Sequence, residues 1–227
     1  MFPIRDTEPS YSKPVVTVVL IVINVLIFLF EASLDPYYRN AFIAAYGIVP
    51  DEFSFRSLVT SMFLHGGWMH VLGNMWFLWI FGDNIEDILG HGKFVFFYLL
   101  CGMAAGLSQV LVDPTSRVPT VGASGAIAGV MGAYLVKFPH SRIRTLIFIL
   151  FFVTWTDVPA WLMLIYWFFI QFFQGFGSIG YSHVSQGGGV AYMAHVGGFV
   201  TGALLILLLA PGRGRRYTPP PDYSYWR

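Results

Sequence analysis

Runs of about 17 to 25 mainly apolar residues recur along this chain, separated by short polar stretches. That is the length a helix needs to cross about 30 Å of hydrocarbon. The pattern predicts span one at Pro14–Ala32, with Asn24 and Glu31 as its only strongly polar members, and span two at Trp68–Phe81, closed by Gly82-Asp83-Asn84. Span three follows at Phe94–Val112 and span four at Val121–Lys137, joined by a short turn containing Asp113-Pro114 and Pro119. Residues 33–56 are too mixed to cross and too aromatic for a free linker, so they read as an interfacial loop.

The stretch from Thr145 to Gln174 is apolar but is broken by Thr154, Thr156, Asp157 and Pro159. Nine residues from Thr145 to Val153 would rise only about 13 Å as a helix. They read as interfacial or re-entrant, and span five is placed at Val158–Phe173. A glycine-rich loop, 175–189, precedes span six at Val190–Ala210 and reads as a mobile cap.

Composition agrees with this pattern. Of 227 residues, 56% are hydrophobic, 18% aromatic and only 11% charged, too little polar surface to cover a soluble globule of this size. The expected fold is all-α: one polytopic domain of six transmembrane helices over residues 14–210. A cytoplasmic N-terminal segment (1–13) precedes it, with no removable signal peptide, and a disordered cytoplasmic tail (211–227) follows. A net charge of +1 gives no reason to invoke nucleic acid. Cys101, alone in an apolar run, reads as core filler.

Charge placement orients the spans. With six of them, Arg5, Lys13, Lys93, Lys137, Arg142, Arg144, Arg213, Arg215, Arg216 and Arg227 share one side, ten of the thirteen basic residues. The positive-inside rule then puts both termini in the cytoplasm of a plasma-membrane protein. Spans two, four and six run inward from the outer face, and each carries polar residues near its start: His70 and Asn74, then Ser124, then His195. These converge at one depth, roughly 5 to 10 Å below the outer surface. A seventh span at 145–153 would throw His195 to the opposite face.

Each feature alone has a structural explanation. Gly-Ala-Ser-Gly at 122–125 is a common packing motif, and His70 with Asn74 can be interhelical hydrogen bonding. His195, an ionisable residue inside an apolar span, points to function by itself. Together they supply a nucleophile (Ser124), a base (His195) and donors for a developing oxyanion at His70, Asn74 and the start of span four. Small residues at Gly122, Gly125, Gly129 and Gly132, and at Ala194, Gly198 and Gly202, let spans four and six approach closely. No carboxylate falls within a span at that depth; Asp113 and Asp157 are weak loop candidates, so a dyad is expected. Thr60, Ser61 and His65 are expected to join His70, Asn74 and Ser124 in lining a wet cavity. A zincin motif and an acidic base, which a metalloprotease needs, are missing from the sequence. Paired intramembrane charges and an inverted repeat, which a transporter suggests, are missing too.

The segments Phe55-Arg56 with 57–64, His65-Gly-Gly-Trp-Met-His70-Val-Leu-Gly-Asn74, Gly122-Ala-Ser124-Gly125 and Ala194-His195-Val-Gly-Gly198-Phe-Val-Thr-Gly202 carry a resemblance. Over nearly its whole length the chain resembles the rhomboid intramembrane serine proteases. The resemblance implies Ser124 as nucleophile, His195 as general base, and His70, Asn74 and the Ser124 backbone N–H as the oxyanion site, with Gly122 beside it. It implies cleavage of single-span membrane proteins in the lipid bilayer without metal or cofactor. A proteolytically inactive, client-binding relative is the alternative. Two departures stand out: Phe55-Arg56 replaces the usual Trp-Arg, and Ala128 occupies the place where some members carry a Tyr under the histidine ring. The support for His195 must come from elsewhere in this chain.

Overall fold

The protein is described from a computed structural model covering residues 2–149, 152–179 and 190–212. Its helices are α1 (Val15–Ser33), α2 (Pro36–Tyr46), α3 (Ser57–Thr60), α4 (Trp68–Leu89), α5 (His91–Val112), α6 (Ser124–Lys137), α7 (Ala160–Ile179) and α8 (Tyr192–Leu209). Strands β1 (Phe2–Asp6), β2 (Arg142–Ile149) and β3 (Phe152–Pro159) form one antiparallel sheet in the order β1-β2-β3. Helices α1, α5, α7 and α8 are long and apolar enough to cross a membrane. With the 22-residue α4 and the shorter apolar α6 they form the expected six-helix polytopic membrane fold.

Helix α6 is the centre of the bundle. All ten residues from Gly125 to Tyr134 are buried, so this helix has neighbours on every side, and it packs against α4, α5, α7 and α8. At 14 residues it is about 21 Å long, shorter than the hydrocarbon thickness. The glycines set its distance from α8. A methyl on Gly198 would run into the backbone of Gly125, and one on Gly132 into that of Phe199. Lys137, at the far end of α6, donates to the carbonyls of Ala210 and Gly212 just past α8, which fixes the two helices as parallel.

Span two is longer than the polar Gly82-Asp83-Asn84 suggested, because partners absorb its polar residues. The buried Glu86 carboxylate accepts from the Val16 and Thr17 N–H groups at 2.8 Å and from the Thr17 hydroxyl at 2.7 Å, capping the start of α1. Asn84 donates to the Glu8 carbonyl at 3.1 Å. The helix stops only where Gly90 takes φ 74°. Span four starts at Ser124 rather than Val121, since Gly122 has φ 126°, outside the helical region. The expected interfacial loop, 33–56, contains α2, whose N-terminus Asp35 caps by accepting from the Tyr37 N–H.

The stretch 145–157, read from the sequence as interfacial or re-entrant without an assigned conformation, belongs to a β2–β3 hairpin with Arg144 opposite Asp157 and Leu146 opposite Trp155. The alternation explains it: Ile143, Thr145 and Val158 are buried while Arg142 and Trp155 are exposed. Asp157 therefore has a structural role, bonded to Arg144 at 3.1 Å, and the guanidinium holds its carboxyl below the usual range. The N-terminal segment supplies the third strand, Arg5 pairing with Arg144. It is tied to the bundle where Trp76 Nε1 donates to the Pro3 carbonyl at 2.7 Å and Tyr134 donates to Asp6 at 2.6 Å. Of the loop expected at 175–189, residues 175–179 continue α7, while 180–189 lie outside the described residues, as do 213–227 of the tail.

Candidate active site

Three helices, α4, α6 and α8, bring their N-terminal turns to one place. Ser124 is the first residue of α6, and the unusual backbone of Gly122 just before it turns the chain into the helix. His195 sits in the first turn of α8 and is buried. Its Nε2 lies 2.8 Å from the Ser124 hydroxyl oxygen, a hydrogen bond between the two residues expected to form a dyad. That approach depends on the glycine contacts that join α6 to α8.

His70 and Asn74 lie one turn apart on α4 and face the Gly122 backbone. A methyl built on Gly122 would stand 2.7 Å from His70 Nε2 and 3.4 Å from Asn74 Nδ2. His70 Nδ1 accepts from the Gly66 N–H at 3.3 Å, so in the neutral ring the proton resides on Nε2, the nitrogen that faces the site. Asn74 Nδ2 is buried without a partner among the described residues. As the first residue of α6, Ser124 has an N–H with no acceptor within its own helix. His70, Asn74 and Ser124 thus line one cavity with three donors between them, an arrangement able to hold a developing negative charge.

A cavity of about 890 Å³ opens onto this group, lined among others by Ser61, His70, Asn74, Gly122, Ser124 and His195. Of the six residues expected to line it, Ser61, His70, Asn74 and Ser124 do so. Thr60 and His65 are used otherwise. The Thr60 hydroxyl donates to the Tyr46 carbonyl at 2.6 Å, and His65 is fully buried, with its N–H donating to Glu31 at 3.3 Å. Burial pushes the His65 imidazolium down to about 3, so this ring is neutral. It stands edge-on to His70 at 5.1 Å between centroids and braces it.

The support for His195, not legible in the sequence, comes from α7. Gln171 is buried and its side-chain oxygen lies 2.7 Å from His195 Nδ1. One turn earlier, Trp167 packs its ring 5.7 Å from the imidazole. Ala128 leaves the α6 side of the ring without an aromatic, and α7 provides one instead. The missed signal was positional. Buried α7 residues fall at 160, 163, 164, 171 and 175, the spacing of one helix face, and Gln171 is the polar residue in that stripe. Among the described residues no group of His, Cys, Asp or Glu has a metal-holding arrangement.

A family model described as Rhomboid domain matches residues 52–212. The chain is 29% identical over 154 residues to Rhomboid protein 1, mitochondrial, of Saccharomyces cerevisiae, covering 65% of this chain and 40% of that protein. It is 39% identical over 88 residues to the mouse Presenilin-associated rhomboid-like protein, mitochondrial, covering 38% and 23%. With Rhomboid protease GluP of Bacillus subtilis it shares 29% over 138 residues, 58% of this chain and 27% of that one. The matches thus span less than half the length of each of these relatives.

Proposed function

Because the chain belongs to the rhomboid family, we propose that it is an intramembrane serine endopeptidase that cleaves transmembrane segments of single-span membrane proteins. The observation that carries this reading is the 2.8 Å bond between Ser124 and the buried His195. In the proposed reaction a substrate helix enters from lipid and its end unwinds, because a helical peptide bond is already hydrogen-bonded and shielded. The extended strand presents its scissile carbonyl in the cavity beside Ser124.

His195 Nε2 takes the Ser124 proton as Oγ attacks the carbonyl carbon. The carbonyl oxygen becomes an oxyanion and accepts from the Ser124 N–H, His70 Nε2–H and Asn74 Nδ2–H. His195 then returns the proton to the leaving amine as the C–N bond breaks. A water, deprotonated by the same imidazole, hydrolyses the Ser124 ester, releasing the new carboxyl terminus and restoring the hydroxyl. The chemistry calls for no metal or cofactor.

The basic residues support an orientation with both termini in the cytoplasm of a cell membrane, the cavity opening to the outside, and residues 14–210 as the membrane domain. The test is cleavage of a purified single-span substrate in proteoliposomes, with Ser124→Ala and His195→Ala alongside. Both variants should be inactive. Cleavage retained by Ser124→Ala would sink the assignment. Labelling of Ser124 by a fluorophosphonate probe separates an active protease from an inactive client-binding relative, which would not react.

A further inference from the structure

We propose that Gln171 is the positioning residue of the reaction, holding His195 in the tautomer that leaves Nε2 free to accept the Ser124 proton. This deepens the protease reading and rests on it. A neutral imidazole carries its proton on one nitrogen, and a base toward Ser124 needs it on Nδ1. The Gln171 oxygen, 2.7 Å from Nδ1, is an acceptor for that proton. With Nδ1–H so engaged, Nε2 presents its lone pair to the Ser124 hydroxyl at 2.8 Å. The two bonds lie on opposite sides of one ring and fix its rotation as well as its tautomer.

The surroundings favour this over a packing role. Gln171 is buried on a helix face otherwise made of apolar and small residues, where an amide unpaired with His195 would be costly to desolvate. Trp167, a turn away, limits the ring from its face, so orientation comes from both side chains of α7. The support also arrives on a different helix from the dyad. Ser124 and His195 ride on α6 and α8, joined at their glycines, whereas Gln171 reaches in from α7, whose Trp167 and Phe168 rings pack against Phe199 of α8.

An amide can select the tautomer, but it adds no charge to stabilise the imidazolium as a carboxylate would. Around His195 the partners are Ser124 from α6 and Gln171 and Trp167 from α7; the described residues place no carboxylate against the ring. The acidic limb of the rate–pH profile therefore reports an imidazole without a counter-charge, and introducing one at 171 must move it.

The experiment uses the reconstituted full chain, a fluorophosphonate probe and a single-span substrate. Gln171→Met, close in shape but without the acceptor, is expected to lower probe labelling and kcat on the order of a hundredfold across the pH range, with KM unchanged. Gln171→Glu keeps an acceptor; it should recover much of that rate and shift the acidic limb upward by about one unit or more. A Gln171→Met protein with parental rate overturns the proposal. So do equal losses in both variants with the limb unmoved, the pattern of simple misfolding. If the parent is labelled at Ser124 while Gln171→Met reacts normally, the protease reading stands and only the positioning role fails.

Discussion

Gly202 of α8 lies so close to Gly129 of α6 that a methyl group on it would overlap the Gly129 backbone. This contact is part of the glycine seam that holds Ser124 and His195 on facing helices. Gly202→Ala must push the helices apart or bend one of them. Overpacking of this kind costs about 1 to 3 kcal/mol, and the effect on the hydroxyl–imidazole distance should be larger in activity than in stability. Thermal unfolding in detergent and probe labelling measured together check this: a modest fall in Tm with near-complete loss of labelling is expected. A variant with parental values for both would show that the seam does not set the site.

Gly122 carries a different constraint. Its φ of 126° is disfavoured for any residue with a Cβ, and a methyl there would stand 2.7 Å from His70 Nε2. Gly90 also has positive φ, at 74°, but a Cβ on it meets nothing within 4 Å. Gly90→Ala should therefore cost only backbone strain, about 1 to 3 kcal/mol, and keep activity. Gly122→Ala should lose activity as well, because the methyl occupies space beside His70 and Asn74, the two side-chain donors of the proposed oxyanion site. Equal activity in the two variants would contradict this placement.

Asn74 Nδ2 is buried and unpartnered among the described residues, as expected of a donor whose acceptor forms only during the reaction. Asn74→Ala is predicted to lower kcat by about 10² to 10³ while leaving KM and the melting temperature nearly unchanged. A large rise in KM with kcat preserved would assign Asn74 to substrate binding instead.

Asp6 supplies a pH dependence far from the site. Burial pushes its carboxyl from 3.8 up to about 7, against the opposing hydrogen bond from Tyr134. The folded protein thus holds this proton more tightly than the unfolded chain does. Stability from this group is fully present below about pH 4 and is lost as pH rises through about 7. Unfolding followed between pH 4 and 8 should show a decline with pH that Asp6→Asn flattens. A slope unchanged in Asp6→Asn would place the titration elsewhere.

Much of the architecture is legible in the residue order because a bilayer imposes simple rules. Length and apolarity locate the spans, and counting residues puts His70, Asn74, Ser124 and His195 near the starts of three of them. The β-hairpin was hidden because one apolar block can serve as interfacial helix or strand, and only pairing with the N-terminal segment, which brings Arg5 beside Arg144, selects the strand. The true end of α4 was hidden for a related reason: Gly82-Asp83-Asn84 reads as a helix stop until Asn84 is seen to reach the Glu8 carbonyl and Glu86, just beyond it, to cap Val16 and Thr17.

The sequence by itself determined that this is a six-span membrane protein and which side chains reach the same level from three helices, since hydrophobicity and helical rise act locally. Only the tertiary structure decided what supports His195. Gln171 lies 24 residues from His195, on a helix whose rotation about its own axis depends on packing against α8. No rule of spacing links the two positions; the bond exists because that packing turns one face of α7, with its single buried amide, toward the imidazole.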